Sequence, residues 1–163
     1  MIRKIKLVIN LALNIKTFFL KNSWVFISEN KDWAIYYEGT ALIKYLKKKG
    51  INGWTSYNPH LVRNSIIHFG SLNVFFTKYE KQLFKSNKTI VTFYHGYLGM
   101  DKSTDKMINY LLSKIDEISF LIVSNSIMFK RMISYGVPEH KLKLIPIPVD
   151  EELFNSSINV CKC

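Results

Sequence analysis

Cysteine is scarce in this sequence, and the two cysteines stand together near its C-terminus. Cys161 and Cys163 are the only ones among 163 residues. A zinc site needs a second pair of ligands, which this spacing does not supply. The sequence therefore predicts a reduced, cytoplasmic protein without a metal site, and we assign no function to these two thiols.

Acidic residues are also few. The sequence contains 12 Asp and Glu and 23 Lys and Arg residues, which gives a formal net charge of +11. Such a balance favours anionic partners such as phosphates, nucleotides or anionic lipid. Arg-rich runs interleaved with aromatic residues do not occur, so nucleic acid is not an expected partner. The cluster Lys47 to Lys49 ends a predicted helix, where cations interact favourably with the helix dipole.

No apolar run near the N-terminus is long enough to cross a bilayer. The longest uncharged run there extends only from Leu7 to Ile15, and no small-residue cleavage site follows it. A transmembrane helix and a cleaved signal peptide are therefore not predicted.

Residues 1–22 instead have the pattern of an amphipathic helix. At helical spacing, a narrow polar stripe is formed by Arg3, Lys6, Asn10, Asn14, Thr17 and Lys21, and apolar residues occupy most of the rest. No acidic residue precedes Glu29. The pattern is typical of a helix that lies on an anionic membrane surface, which would place the protein peripherally on the inner face of the membrane. It is equally typical of a helix that docks on its own domain or on another.

Several motifs that would identify a cofactor or a reaction are missing. The sequence contains no G-x-G-x-x-G after its first apolar run, no P-loop, no H-E-x-x-H and no G-x-S-x-G. It also contains no internal repeat and no low-complexity segment. No bound cofactor is predicted.

Short β-branched or apolar runs alternate with helical patterns along residues 23–154. The runs lie at 24–28, 53–57, 65–69, 89–94, 118–124 and 142–147, and the helical patterns at about 33–49, 71–85, 103–115 and 125–135. Continuous apolar strands that alternate with helices indicate a parallel sheet covered on both faces. We therefore predict a Rossmann-like, doubly wound α/β domain over 23–154, followed by a tail at 155–163.

The candidate site residues come from the ends of the predicted strands, because doubly wound sheets bind ligands at that edge. Glu29 and Asn30 follow the first strand, and His95, Gly96 and Tyr97 follow the fourth. We expect His95 to lie beside the first-strand loop. Glu29 and Asn30 have an alternative role as helix caps.

Two further polar residues stand at the ends of predicted strands. His68 is a candidate substrate-binding residue near the end of the third strand, with a buried structural histidine as the alternative. We expect its strand to lie two strands from the point where strand order reverses. Ser124 is the expected cap of the helix at 125–135.

The last part of the predicted domain resembles a known family. Residues 121–154, LIVSNSIMFKRMISYGVPEHKLKLIPIPVDEELF, are similar to the end of the N-terminal half of GT-B glycosyltransferases, in particular the large retaining family four. The matching features are the turn at Ser124, the helix stop at Gly136, the turn VPEHK and the crossing IPIPVDEELF. Upstream, TIVTFYHG and NSIIHFGS look like two strands of the same half. The resemblance extends, more loosely, over residues 24–154.

The resemblance implies an acceptor-binding half that helps to transfer a sugar from a nucleotide-sugar donor to a glycan or lipid-linked acceptor. It places the family's donor-facing, catalytic histidine at His95. Two features depart from the family: ENKDW replaces its glycine-rich loop, and Ile147-Pro148 replaces its Asn-Gly. The family's nucleotide-binding half would lie beyond Phe154, so the resemblance implies a truncated gene product, one part of a split enzyme whose partner is a separate nucleotide-binding half, or a separately folded fragment. The alternative is a non-catalytic carbohydrate- or membrane-binding module.

Overall fold

The computed structural model describes residues 9, 12–20, 22–29 and 34–146. Its strands are β1 (Trp24–Ile27), β2 (Gly53–Ser56), β3 (Ile66–Phe69), β4 (Lys88–Phe93), β5 (Phe120–Val123) and β6 (Leu142–Leu144). They form one six-stranded sheet in the order β2-β1-β3-β4-β5-β6. Every neighbouring pair is parallel. The predicted parallel α/β sheet is confirmed.

Four α-helices connect the strands: α1 (Ala34–Lys48), α2 (Leu72–Lys78), α3 (Lys102–Ser113) and α4 (Ser126–Ser134). Each falls within a predicted helical pattern. Helix α1 ends just before Gly50, where Gly50 N donates to Lys47 O and Ile51 N donates to Leu46 O. Short 3-10 turns at Tyr79–Lys81 and Ile115–Glu117 follow α2 and α3, and the first of them ends before the predicted helix end at 85.

Side-chain caps fix where three of these helices begin. Ser71, Asp101 and Asn125 each accept a backbone N–H of the first turn of α2, α3 and α4. The prediction that Ser124 caps α4 is wrong: the Asn125 side chain accepts from Met128 N at 2.9 Å. The Ser124 hydroxyl donates instead to Tyr94 O, at 3.3 Å. Ser124 therefore links the ends of β4 and β5.

The two faces of the sheet are covered differently. On one face Val25, Ile67, Val91 and their neighbours form a core with buried residues of α2, α3 and α4. On the other face, Phe26 packs against Ile43 and Leu46 of α1. Strands β1 (WVFI) and β5 (FLIV) are apolar at every position, as expected in a sheet that carries helices on both faces.

The direction of the connections reverses at β1. From β1 the chain passes to β2 on one side, whereas β3 lies on the other side of β1 and leads on to β4. In doubly wound sheets of this order the ligand crevice opens between the ends of β1 and β3. The expected position of His68 is corrected accordingly, because β3 itself borders the crevice. His95 is also displaced from its expected neighbour, because β3 lies between β1 and β4.

Part of the predicted N-terminal helix is described. Residues 12–15 are helical and a 3-10 turn spans Lys16–Phe18. Most of 1–11, the crossing from residue 147 onward and the tail at 155–163 lie outside the described residues. The polar stripe faces inward in the described part: Asn14 and Thr17 are 0% and 1% exposed.

The close approach of α1 to the sheet yields a first prediction. A Cβ added at Gly39 would overlap the Phe26 ring. We expect Gly39→Ala to lower the free energy of unfolding by about 1–3 kcal/mol, although alanine is intrinsically the better helix former.

Chemical denaturation of both proteins measures this difference. The control is Thr40→Ala at the next, exposed position of α1, which should change stability by less. If the Gly39→Ala protein is as stable as the parent chain, the backbone of α1 at Gly39 does not lie against the Phe26 ring.

Candidate functional site

The crevice between β1 and β3 contains a cluster of polar side chains that bond to one another. Glu29, just after β1, accepts through Oε1 from Asn73 Nδ2 at 2.6 Å. The Ser71 hydroxyl makes a longer contact of 3.4 Å with the same oxygen and accepts from Val74 N at 3.1 Å. The start of α2 therefore holds the Glu29 carboxylate at the edge of the sheet.

Lys78 joins this cluster from the last turn of α2. Helical side chains lean toward the helix N-terminus, so Lys78 reaches back to the edge of the sheet. Its Nζ donates to Ser28 O at 2.7 Å. Burial lowers the pKa of Lys78 to about 8, against the opposing effect of the Glu29 charge. The amine can therefore lose its proton only slightly above neutral pH.

The loop after β4 presents His95 at the same edge. His95 is exposed. Gly96 follows it with φ at +113°, a conformation that side-chain-bearing residues rarely adopt, and so allows the chain to turn there. Gly96 O accepts from Arg131 Nη1 at 3.3 Å, and Leu98 N donates to the Tyr135 hydroxyl at 3.0 Å. Helix α4 thus supports the loop that carries His95.

Tyr97 offers an aromatic surface beside His95. Its side chain is 45% exposed, and the Arg131 guanidinium carbon lies 5.0 Å from its ring centroid. A cation over one face of the ring helps to fix its orientation. An aromatic ring that is fixed and partly exposed is suited to stacking against a sugar or another flat apolar surface.

A hydrogen bond between Tyr94 and Glu38 links the end of β4 to α1. The Tyr94 hydroxyl donates to the Glu38 carboxylate. Burial, together with this carboxylate, raises the pKa of Tyr94 far above the usual tyrosine value. Tyr94 therefore stays protonated and acts as a hydrogen-bond donor, which positions the beginning of the His95 loop.

His68 lies inside the sheet instead of at its edge. It is 5% exposed, and its ring centroid is 4.8 Å from that of Phe26 and 5.9 Å from that of Trp24. Its Nε2 hydrogen-bonds Thr92 Oγ1 at 2.7 Å, and burial lowers its pKa to about 3. These contacts are those of a neutral packing residue, and they favour the structural alternative over direct contact with a substrate.

Of the candidates from the sequence, Glu29, His95, Gly96 and Tyr97 lie at the carboxyl edge, and Asn30 lies outside the described residues. Sequence reasoning missed Asn73, Lys78 and Arg131, which hold the edge groups in place. For Asn73 a signal existed, since it comes just after the polar turn that ends β3. Lys78 and Arg131 sit well along their helices, where an isolated cation is usually solvated.

Two cavities lie away from this edge. A groove of about 340 Å³ runs between α1 and the outer strand β2, and its lining consists of Tyr36, Thr40, Ile43, Lys44, Lys47, Trp54 and Thr55. A second cavity of about 210 Å³ includes Tyr79, Phe84 and Glu117 in its lining.

Within the described part of the chain, no three His, Cys, Asp or Glu residues are grouped so that they could hold a metal ion. No described helix is both long enough and apolar enough to cross a membrane. No family model, curated protein or solved structure matches this chain.

The surroundings of Lys78 give a prediction about its titration. We expect its amine to titrate near pH 8 in the folded chain, because burial disfavours the charged form. The Glu29→Gln substitution should lower this pKa further, because it removes a negative charge that favours the ammonium.

The titration can be followed by NMR of the lysine side-chain resonances, with the exposed Lys130 as the control. A Lys78 pKa above 10, or one that Glu29→Gln leaves unchanged, would contradict the described burial and charge coupling.

Proposed function

We propose that this domain is the acceptor-binding half of a retaining glycosyltransferase, and that its carboxyl edge holds a hydroxyl-rich acceptor. The observation that carries the proposal is the pairing of two features on one edge: the Glu29 carboxylate, held by Asn73, and the exposed His95. The sequence resemblance supports the same assignment.

The chemistry of the edge suits a sugar hydroxyl. Such a hydroxyl both donates and accepts hydrogen bonds, and a carboxylate beside an amide and a hydroxyl offers partners for both roles. Glu29, Asn73 and Ser71 supply these groups, and their mutual bonds reduce the conformational freedom that binding would otherwise remove. Tyr97 adds an exposed ring against which a pyranose can stack.

In this proposal, His95 acts at a different point of the reaction. Its strand is two positions from β1, a separation of roughly 10 Å between strand axes, so the acceptor would extend between Glu29 and His95. In the transfer, the bond from the anomeric carbon to the nucleotide phosphate breaks, and a bond to the acceptor oxygen forms as the proton of that oxygen passes to the departing phosphate. His95 would orient the donor sugar and help to stabilise the positive charge that develops on it.

The exposure of His95 and Tyr97 at this edge agrees with a two-part enzyme. Sugar transfer needs the leaving phosphate stabilised, the donor oriented and water excluded. A nucleotide-binding half that closes over the carboxyl edge would supply these requirements. We therefore expect no transfer by this 163-residue chain alone. Steady turnover of a nucleotide sugar by the purified chain would contradict the proposal.

The role of His95 can be tested in a complex with a nucleotide-binding half. We expect His95→Ala to lower kcat at least about tenfold, equivalent to about 1.4 kcal/mol of lost transition-state stabilisation. The control is His140→Ala, which removes another exposed imidazole away from the edge. If both variants transfer sugar at the parental rate, His95 has no catalytic role.

The role of Glu29 predicts a different kinetic signature. In the same complex, Glu29→Gln should raise KM for the acceptor and leave KM for the nucleotide sugar nearly unchanged, because the amide replaces an acceptor oxygen with a donor. The control is Glu139→Gln, an exposed position near the start of β6. An unchanged acceptor KM would remove Glu29 from the binding site.

A further inference from the structure

The described N-terminal segment packs on the domain through its polar side chains. Asn14 Nδ2 donates to Asn58 O at 2.7 Å and to His60 O at 2.9 Å, and Asn14 Oδ1 accepts from Trp54 Nε1 at 3.2 Å. These bonds join the segment to β2 and to the β2–β3 connection. Both polar atoms of the Asn14 side chain therefore form hydrogen bonds within the protein.

Thr17, one turn further on, makes a similar set of bonds. Its hydroxyl donates to Asn14 O at 2.7 Å and contacts Leu61 O at 3.2 Å. The same oxygen accepts from Arg63 N at 3.1 Å. Asn14 and Thr17 therefore fix the rotation of the segment about its own axis, with the polar stripe toward the domain.

This orientation turns the apolar side of the segment outward. Phe19 is 82% exposed, Ile15 45%, and Phe18 and Leu20 38% each. Single exposed apolar residues are common on protein surfaces, whereas several large ones grouped together mark an interaction site. A segment that served only to cover the sheet would turn its apolar side toward the domain and its polar side toward the solvent.

The loop before β4 extends this surface. The Phe18 ring meets that of Phe84 at 5.7 Å between centroids, and Leu83 beside it is 55% exposed. We call the group Ile15, Phe18, Phe19, Leu20 and Leu83 the apolar patch.

Cations border the apolar patch. The Arg63 guanidinium carbon lies 4.4 Å from the Phe18 ring centroid, Lys16 is exposed, and the Lys85 side chain is 91% exposed. Glu117 lies 3.8 Å from the Lys85 amine and offsets part of its charge. No acidic residue occurs in the first 28 residues of the chain, so the border of the patch on that side is cationic.

We propose that the apolar patch docks on the surface of a bilayer that contains anionic lipid. Large side chains that project outward can enter the boundary between headgroups and acyl chains, while bordering Lys and Arg bind lipid phosphates. A protein partner would need a matching groove and acidic rim, and the overall charge of +11 gives the chain a long-range attraction to anionic membranes. The Asn14 and Thr17 bonds hold the patch in this orientation before it meets the membrane.

This proposal is independent of the glycosyltransferase assignment and is tested with the full chain. The assay is sedimentation with vesicles of phosphatidylcholine alone or of equal parts phosphatidylcholine and phosphatidylglycerol. We expect binding to the phosphatidylglycerol vesicles, weakened at least about tenfold by Phe19→Ser because the loss of one buried aromatic side chain is of that size. Lys16→Glu should weaken binding as well, and added salt should do so further.

Matched controls separate the patch from general surface effects. Ile127→Ser removes an apolar residue that is 65% exposed on α4, and Lys130→Glu makes the same charge change on that helix. Both should bind vesicles like the parent chain.

The proposal is overturned if the parent chain does not sediment with phosphatidylglycerol vesicles, or if Ile127→Ser and Phe19→Ser reduce binding equally. It is also overturned if analytical ultracentrifugation shows a dimer that Phe19→Ser dissociates while vesicle binding is unchanged, since the patch would then be an interface between two copies of the chain.

Discussion

Strand β1 is hydrogen-bonded on both sides, to β2 along one edge and to β3 along the other, and the arrangement of the rest of the domain follows from this pairing. Because the connections leave β1 and β3 in opposite directions, α1 covers one face and α2 to α4 cover the other. The same divergence separates the loops that follow the two strands and opens the crevice in which Glu29 lies.

The side chains at that crevice are positioned by groups that do not themselves face it. Asn73 holds Glu29, Lys78 bonds the carbonyl of Ser28, and Arg131 and Tyr135 support the His95 loop. Held in this way, the edge needs little reorganisation when a ligand binds. The N-terminal segment is held in a similar way at another surface. There, the hydrogen bonds of Asn14 and Thr17 to the domain determine which residues of the segment face the solvent.

Much of the fold could be predicted from the sequence because its signals are local. Runs such as FLIV are apolar at successive positions, which favours a strand in a sheet covered on both faces, and Gly50 and Asp101 lie at helix ends. Strand order is set by pairing across the chain, so the sequence did not reveal that β3 separates β1 from β4. For the same reason the distance between Glu29 and His95 could not be predicted.

The site was partly predictable for a related reason. Topology alone brings Glu29 and His95 to one edge, since residues after parallel strands share it. The burial of His68 between Trp24 and Phe26 depends on α1 packing over that face, and a histidine at a strand end gives no sign of it. The inward face of the N-terminal segment was equally hidden, because an amphipathic pattern defines two faces without saying which one the domain contacts.

The central claim is that sugars bind at the carboxyl edge of β1, β3 and β4. The most direct test is to map backbone amide shifts of the isotope-labelled chain as a panel of hexose disaccharides is added. The account predicts shifts that cluster at residues 70–73 and 95–98. Shifts that cluster instead in the groove lined by Tyr36, Lys44 and Trp54, or no shifts with any disaccharide, would contradict it.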